Sequence, residues 1–381
     1  MNIVTLLQPP RIVIGDGCAP QCAEFLTQRG VHRVLLVTST PVLPTLGSVL
    51  EVLQKANLSV VPASPVDREP TRAMFELMLT LARQENIQAV LGIGGGSVID
   101  VAKLLAALIH GHQSVPEVFG INLLASRSLP LVCLPTTAGT GAEVSPNAIL
   151  LDEADELKKG VISPYLVPDA VFIDPQLTLS VPPAVTAATG LDALTHCIEA
   201  YANKFAHPVV DVYALQGIRV IAANLERAVR EGQNLAARSA LALGSFYGGL
   251  CLGPVNTGAV HALSYPLGGR FHIAHGVANS LLLPHVIRFN APAAAERYAE
   301  VALALGVSPG ANAAATAERG VAFLAQLSRD CGVPQNLSEL KIPRAAIPSL
   351  AQSALQVQRL LKNNLRPVTE PDAVAIYEAA F

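Results

Sequence analysis

The stretch Ala89-Val-Leu-Gly-Ile-Gly-Gly-Gly-Ser-Val-Ile-Asp-Val-Ala-Lys103 leaves this chain few folds to choose from. An apolar run, a glycine turn and a second apolar run at helical spacing predict strand, tight turn and helix, the repeating unit of a parallel α/β sheet. Gly94, Gly95 and Gly96 allow positive φ and let a bulky ligand approach the backbone. Ser97 and Asp100 have the spacing of a capping box, which would put Ser97 at the helix N-cap. The free N–H groups of such a helix start form an anion seat suited to a pyrophosphate. The pattern is not the GxGxxG fingerprint, because it follows several earlier elements and lacks the third glycine.

Residues 1–182 continue the alternation. Arg33–Thr38 and Leu58–Val61 read as strands, and Val42–Lys55 and Thr71–Gln84 as helices. A second small-residue loop, Pro135-Thr-Thr-Ala-Gly-Thr-Gly-Ala-Glu143, follows the apolar strand Leu131–Leu134. Its Thr136, Thr137 and Thr140 hydroxyls fall at the carboxyl edge of the sheet, where open α/β sheets bind ligands. From Pro182-Pro183 onward β-branched runs become scarce and helical spacing takes over. A chain of 381 residues exceeds one ordinary core. Two domains are therefore expected: an α/β dinucleotide-binding domain with a parallel sheet over 1–182, and an all-α metal-binding domain over 183–381. The second should contain helices at Ala184–Ala202, Pro208–Arg230, Ala236–Cys251, Ala291–Leu305, Ala313–Cys331 and Asp372–Ala380.

Four residues of the helical half are metal-ligand types. Asp192 and His196 are four apart and project from one helix face. His261 and His275 follow, the latter in Gly268-Gly-Arg-Phe-His-Ile-Ala-His-Gly276, which reads as a glycine-flanked loop folding over an ion. His272 could line the same site, and His285, after Pro284, reads as a helix-start residue. One carboxylate with three imidazoles suits Fe(II), and Zn(II) also fits. Such a metal acts as a Lewis acid toward a substrate oxygen. Beside a nucleotide seat, that combination points to hydride transfer.

Charge narrows the partners. A formal net charge of −3, with 14% charged and 51% hydrophobic residues, offers no pull toward nucleic acid or anionic lipid. The expected partner is a small molecule or a second copy of the chain in a homodimer. No apolar run approaches 18 residues, and the six cysteines are scattered without a CxxC pair. A reducing cytoplasm is the expected compartment.

In combination, Gly94-Gly-Gly-Ser-Val-Ile-Asp100, Pro135–Glu143, Gly190-Leu-Asp-Ala-Leu-Thr-His196 and His275-Gly-Val-Ala-Asn279 resemble the iron-containing (group III) alcohol dehydrogenase family of dehydroquinate synthase-like fold. The resemblance runs over essentially the whole chain. It implies a metal held by Asp192, His196, His261 and His275, in an active site between the two domains. It implies NAD or NADP lined by Gly94, Gly95, Gly96, Ser97, Thr136, Thr137 and Thr140, with Asp100, Asn147 and Lys158 as further cofactor-side positions. The implied chemistry passes hydride between an alcohol carbon and the nicotinamide. Maleylacetate reductase-like and glycerol dehydrogenase-like oxidoreductases share the fold, as does a dehydroquinate synthase-like lyase.

Three departures stand out. Ser39 replaces the acid that holds the adenosine ribose in many members, which leaves NADP open beside NAD. Tyr265 replaces a histidine and either hydrogen-bonds the substrate, relays a proton or simply packs. Glu69-Pro-Thr71 replaces the usual Asn-Pro-Thr.

Overall fold

The computed structural model describes residues 3–155 and 157–381. They form two compact units, one of residues 7–137 and 141–181, the other of residues 182–381 joined by 138–140 and the first described residues.

The α/β unit is built on strands β1 (Arg11–Ile14), β2 (Arg33–Val37), β3 (Ser59–Pro62) and β4 (Ala89–Gly94). Chain order continues with β5 (Gly120–Ile121), β6 (Leu131–Pro135), β7 (Asn147–Asp152), β8 (Leu157–Ile162) and β9 (Ala170–Ile173). Six of them make a sheet in the order β1-β9-β6-β4-β2-β3, with every pair parallel. β4, β6 and β9 are buried along their whole length, as strands covered on both faces must be. β5, β8 and β7 form a separate three-stranded sheet. β4 therefore lies mid-sheet, with β2 and β3 on one side and β6, β9 and β1 on the other.

The glycine turn after β4 differs from expectation in one respect. The helix Gly96–Leu108 takes Gly95 as its N-cap, and exposed Ser97 sits inside the first turn. Asp100 accepts from the Ile149 backbone N–H at 3.0 Å and does not close a capping box. The partner comes from β7, which no local pattern foretells. A Cβ on Gly94 would lie 2.6 Å from the Val98 side chain, so close helix–strand packing alone demands that glycine.

The second unit is helical. Pro183–Tyr201, Pro208–Arg230, Leu235–Leu252 and Ala313–Asp330 match the expected spans to within a residue or two. Leu235–Leu252 is apolar and long enough to cross a membrane, yet 67% of it is buried among the surrounding residues, as in the core helix of a globular unit. Two expected helices begin late. A 3-10 turn at Leu43–Thr45 precedes Gly47–Lys55, and another at Ala291–Ala293 precedes Ala295–Ala304. Each turn holds a proline near its start, where the missing N–H costs nothing.

The larger difference is around the last two histidines. Ala259–Phe271 and His275–Asn290 are helices, so only residues 272–274 form the connection expected to span Gly268–Gly276. His285 lies inside the second helix and does not start one. All six cysteines are buried thiols.

Candidate active site

Asp192 and His196 are one turn apart on the helix Pro183–Tyr201. His261 stands in the first turn of Ala259–Phe271, and His275 is the first residue of His275–Asn290. The short break at 272–274 is what turns the chain back, so that His275 meets His261. Gly276 allows the approach, since a Cβ there would lie 2.0 Å from the Ala188 carbonyl oxygen.

The four side chains converge. Donor atoms of Asp192, His261 and His275 all lie within 4.8 Å of one another. His261 Nε2 is 3.6 Å from Asp192 Oδ1 and 3.0 Å from His196 Nε2, and His275 Nε2 is 3.7 Å from Asp192 Oδ1. Metal–ligand bonds of ~2.1 Å in a tetrahedron put donors about 3.4 Å apart, so these spacings suit one divalent ion.

Two residues join the cluster that the ligand pattern did not single out. Glu199 Oε2 lies 2.5 Å from His261 Nδ1, and Glu199 Oε1 accepts from the Val260 N–H at 2.6 Å. Asn279 Nδ2 donates to Asp192 Oδ1 at 2.7 Å and lies 3.1 and 3.2 Å from the Nε2 atoms of His261 and His275. Both were accessible to a stricter use of helical spacing. Glu199 falls seven residues after Asp192, and Asn279 four after His275.

The electrostatics favour a cation. Asp192 and Glu199 are buried carboxylates among imidazoles. Burial alone raises the Asp192 carboxyl, but His196, His275 and His261 outweigh it and hold the group far below the usual carboxylate range. Burial pushes His196 down to about 4. It also opposes charge on His261, yet Glu199 and Asp192 carry that imidazole up to about 10. Two negative charges with three imidazoles are what a divalent ion would balance. Asn279 Oδ1 is buried beside these donors without a hydrogen-bond partner, as a polar cluster built to take a further group would have it.

The remaining expected residues separate into three places. Gly94, Gly95 and Gly96 meet Thr136 and Thr137 at the carboxyl ends of β4 and β6. Thr136 N–H donates to Gly94 O at 3.0 Å, and a Cβ on Gly95 would lie 3.3 Å from Thr137 Oγ1. Asp100, Asn147 and Lys158 gather beside the small sheet. Burial raises Asp100 to about 7, partly offset by Lys103, while Lys158 pairs with Glu69 at 2.7 Å. Asn147 Oδ1 is buried there without a partner. Thr140 belongs to the segment 138–140 that packs with the helical unit, where a Cβ on Gly139 would lie 2.8 Å from Thr189 Cβ. Ser39 follows β2, near the β4 turn: Thr38 Oγ1 donates to Ile93 O at 2.7 Å. His272 stays outside the cluster, exposed in a left-handed conformation at the end of its helix. Tyr265 is buried, its ring centroid 5.9 Å from that of His275.

Comparison with known proteins meets the same architecture. Residues 9–175 match the iron-containing alcohol dehydrogenase model, and residues 186–381 match the C-terminal model of the Fe-containing alcohol dehydrogenase family. The chain belongs to the iron-containing alcohol dehydrogenase family. Long-chain-alcohol dehydrogenase 1 of Geobacillus thermodenitrificans is 38% identical over 100% of this chain and 98% of its own length. The NAD-dependent methanol dehydrogenase of Bacillus methanolicus is 33% identical over 98% of both chains. A solved 1,3-propanediol oxidoreductase superposes with a TM-score of 0.96, at 34% identity and complete coverage of both chains. As a family member this chain is an oxidoreductase of the alcohol dehydrogenase type, with the α/β and all-helical units of the iron-containing alcohol dehydrogenase fold.

Proposed function

We propose that the chain is an NAD-linked alcohol dehydrogenase and aldehyde reductase, with Asp192, His196, His261 and His275 holding a divalent iron. The observation that supports this most is the spacing of those four donors with Glu199 behind His261, since two buried carboxylates and three imidazoles call for a divalent charge. A bound iron supplies a Lewis acid that polarises the substrate oxygen. In alcohol oxidation the C–H pair leaves as hydride for C4 of the nicotinamide and the hydroxyl proton goes to solvent. The products are aldehyde, NADH and one proton. Gly95, Gly96 and the helix start after β4 offer backbone N–H groups to the pyrophosphate.

The protein should lose alcohol oxidation on chelation and recover it when reloaded with iron, taking up about one ion per chain and gaining thermal stability. Protein that binds neither iron nor zinc after loading would sink this reading.

NAD over NADP follows from a carboxylate that stands in for the one missing at Ser39. Thr40 donates from its backbone N–H to Asp67 Oδ1 at 2.6 Å and from Oγ1 to Asp67 Oδ2 at 2.7 Å. Those bonds hold the exposed Asp67 below the usual carboxylate range. The acid comes from the segment after β3, which pairs with β2, the neighbour of the phosphate strand β4. In dinucleotide folds an acid in that region binds the ribose diol. Here it would repel a 2′-phosphate and also occupies two donors that phosphate could use. Asp67→Ala should therefore raise the affinity for NADPH relative to NADH about tenfold. Nicotinamide fluorescence titrations measure both constants, and an unchanged ratio overturns the assignment.

A further inference from the structure

Among the proposed metal ligands, His275 is the most exposed. Its side chain is 27% exposed, against 3% for Asp192 and His261. Tyr265 packs beside that ligand, and Arg359 donates from Nη2 to the Tyr265 hydroxyl oxygen at 2.9 Å. Arg359 lies in the short helix Gln358–Leu361, half-buried, with its guanidinium carbon 5.7 Å from the Tyr265 ring centroid.

The arginines of this unit meet different kinds of acceptor, Arg366 for one donating to the Phe289 carbonyl oxygen. Arg297 pairs with Asp211, Arg288 with Glu318 and Arg344 with Glu378. Arg238 is buried but reaches Gly232 O and Thr186 Oγ1. Among the described residues, the guanidinium of Arg359 has the phenol as its one hydrogen-bond acceptor and no carboxylate within ion-pair distance. A guanidinium carries five N–H donors in a fork that fits carboxylate or sulfonate oxygens in pairs. With the phenol taking one of those donors, the half-buried fork beside the Tyr265 ring keeps further N–H donors to offer an anionic group.

We propose that Arg359, held by Tyr265, is an anion subsite for the substrate of the metal centre. The substrate class it selects is a short aldehyde, or the matching alcohol, with a carboxylate or sulfonate at its far end. The reacting oxygen lies on the His275 side and the anion meets the guanidinium fork. Tyr265 thereby has its phenol oxygen turned to Arg359 and serves to aim it. The proposal rests on the reading of Asp192, His196, His261 and His275 as the metal centre.

The test compares 4-oxobutanoate with butanal, matched in length, using iron-loaded protein and NADH. Wild type should favour the anionic aldehyde in kcat/KM, mainly through a lower KM. A hydrogen bond to a charged group contributes about 1.5–3 kcal/mol, so Arg359→Gln should cut the anionic-to-neutral ratio by about 10- to 150-fold. Arg359→Lys keeps the charge without the fork and should fall between. Raising salt should erode the wild-type preference and leave the Arg359→Gln ratio flat. A wild-type ratio near one, or a ratio that Arg359→Gln leaves in place while both aldehydes slow together, overturns the subsite and leaves the dehydrogenase reading standing. Failure of loaded wild type to reduce either aldehyde overturns both.

Discussion

Asp192→Ala is expected to abolish metal binding and alcohol oxidation together while NADH still binds. The carboxylate is the one anionic donor among the four proposed ligands, and its Oδ1 faces His261, His275 and the Asn279 amide at once. Without it the pocket keeps three imidazoles, one of which would carry a proton in place of the ion. A Lewis acid at a reacting oxygen contributes several kcal/mol. At tenfold per about 1.4 kcal/mol, kcat/KM should fall by roughly a thousandfold or more. Metal analysis of the purified variant, a kinetic assay and an NADH titration check the three parts separately. Full metal occupancy with retained turnover would place the centre elsewhere.

Glu199→Gln should have the second-largest effect, although the proposed ligand set does not include Glu199. Its carboxylate accepts a hydrogen bond from His261 Nδ1–H, which holds the proton on Nδ1 and leaves the Nε2 lone pair aimed at the cluster. The second oxygen is anchored on the Val260 N–H, which fixes the carboxylate relative to the helix that carries His261. A neutral amide removes the charge that favours a cation and can offer either end to the ring. Outer partners of this kind are worth about 10- to 100-fold in metal affinity. Competition with a chelator of known affinity reads that loss, and circular dichroism separates it from misfolding. An unchanged metal affinity in a folded variant would reduce Glu199 to packing.

The two candidate binding regions, one in each unit, were unequally legible. Gly94–Gly96 and the threonines of 136–140 announced themselves because strand, turn and helix are local patterns. The same holds for Asp192 and His196, which one helical turn puts on one face. The helices bearing His261 and His275 were harder to read, since Pro266 and Pro284 lie inside them and proline normally ends a helix. Both survive in helices with a long buried face, Ala259–Gly268 in one and Ala278–Pro284 in the other. Burial of that face outweighs a lost backbone hydrogen bond.

By itself, then, the sequence determined the parallel α/β start, the helical second half and the donor types available to a metal. Each depends on periodicity or on side-chain chemistry, which a chain carries at every position. Which donors have which partners was decided by the tertiary structure. Glu199 reaches His261 across 62 residues, Asn279 reaches Asp192 across 87, and Arg359 reaches Tyr265 across 94. Thr40, the neighbour of Ser39, donates to Asp67 across 27 residues. Separation along the chain says nothing about distance once helices pack, and hydrogen bonding at such sites is a property of the packed arrangement.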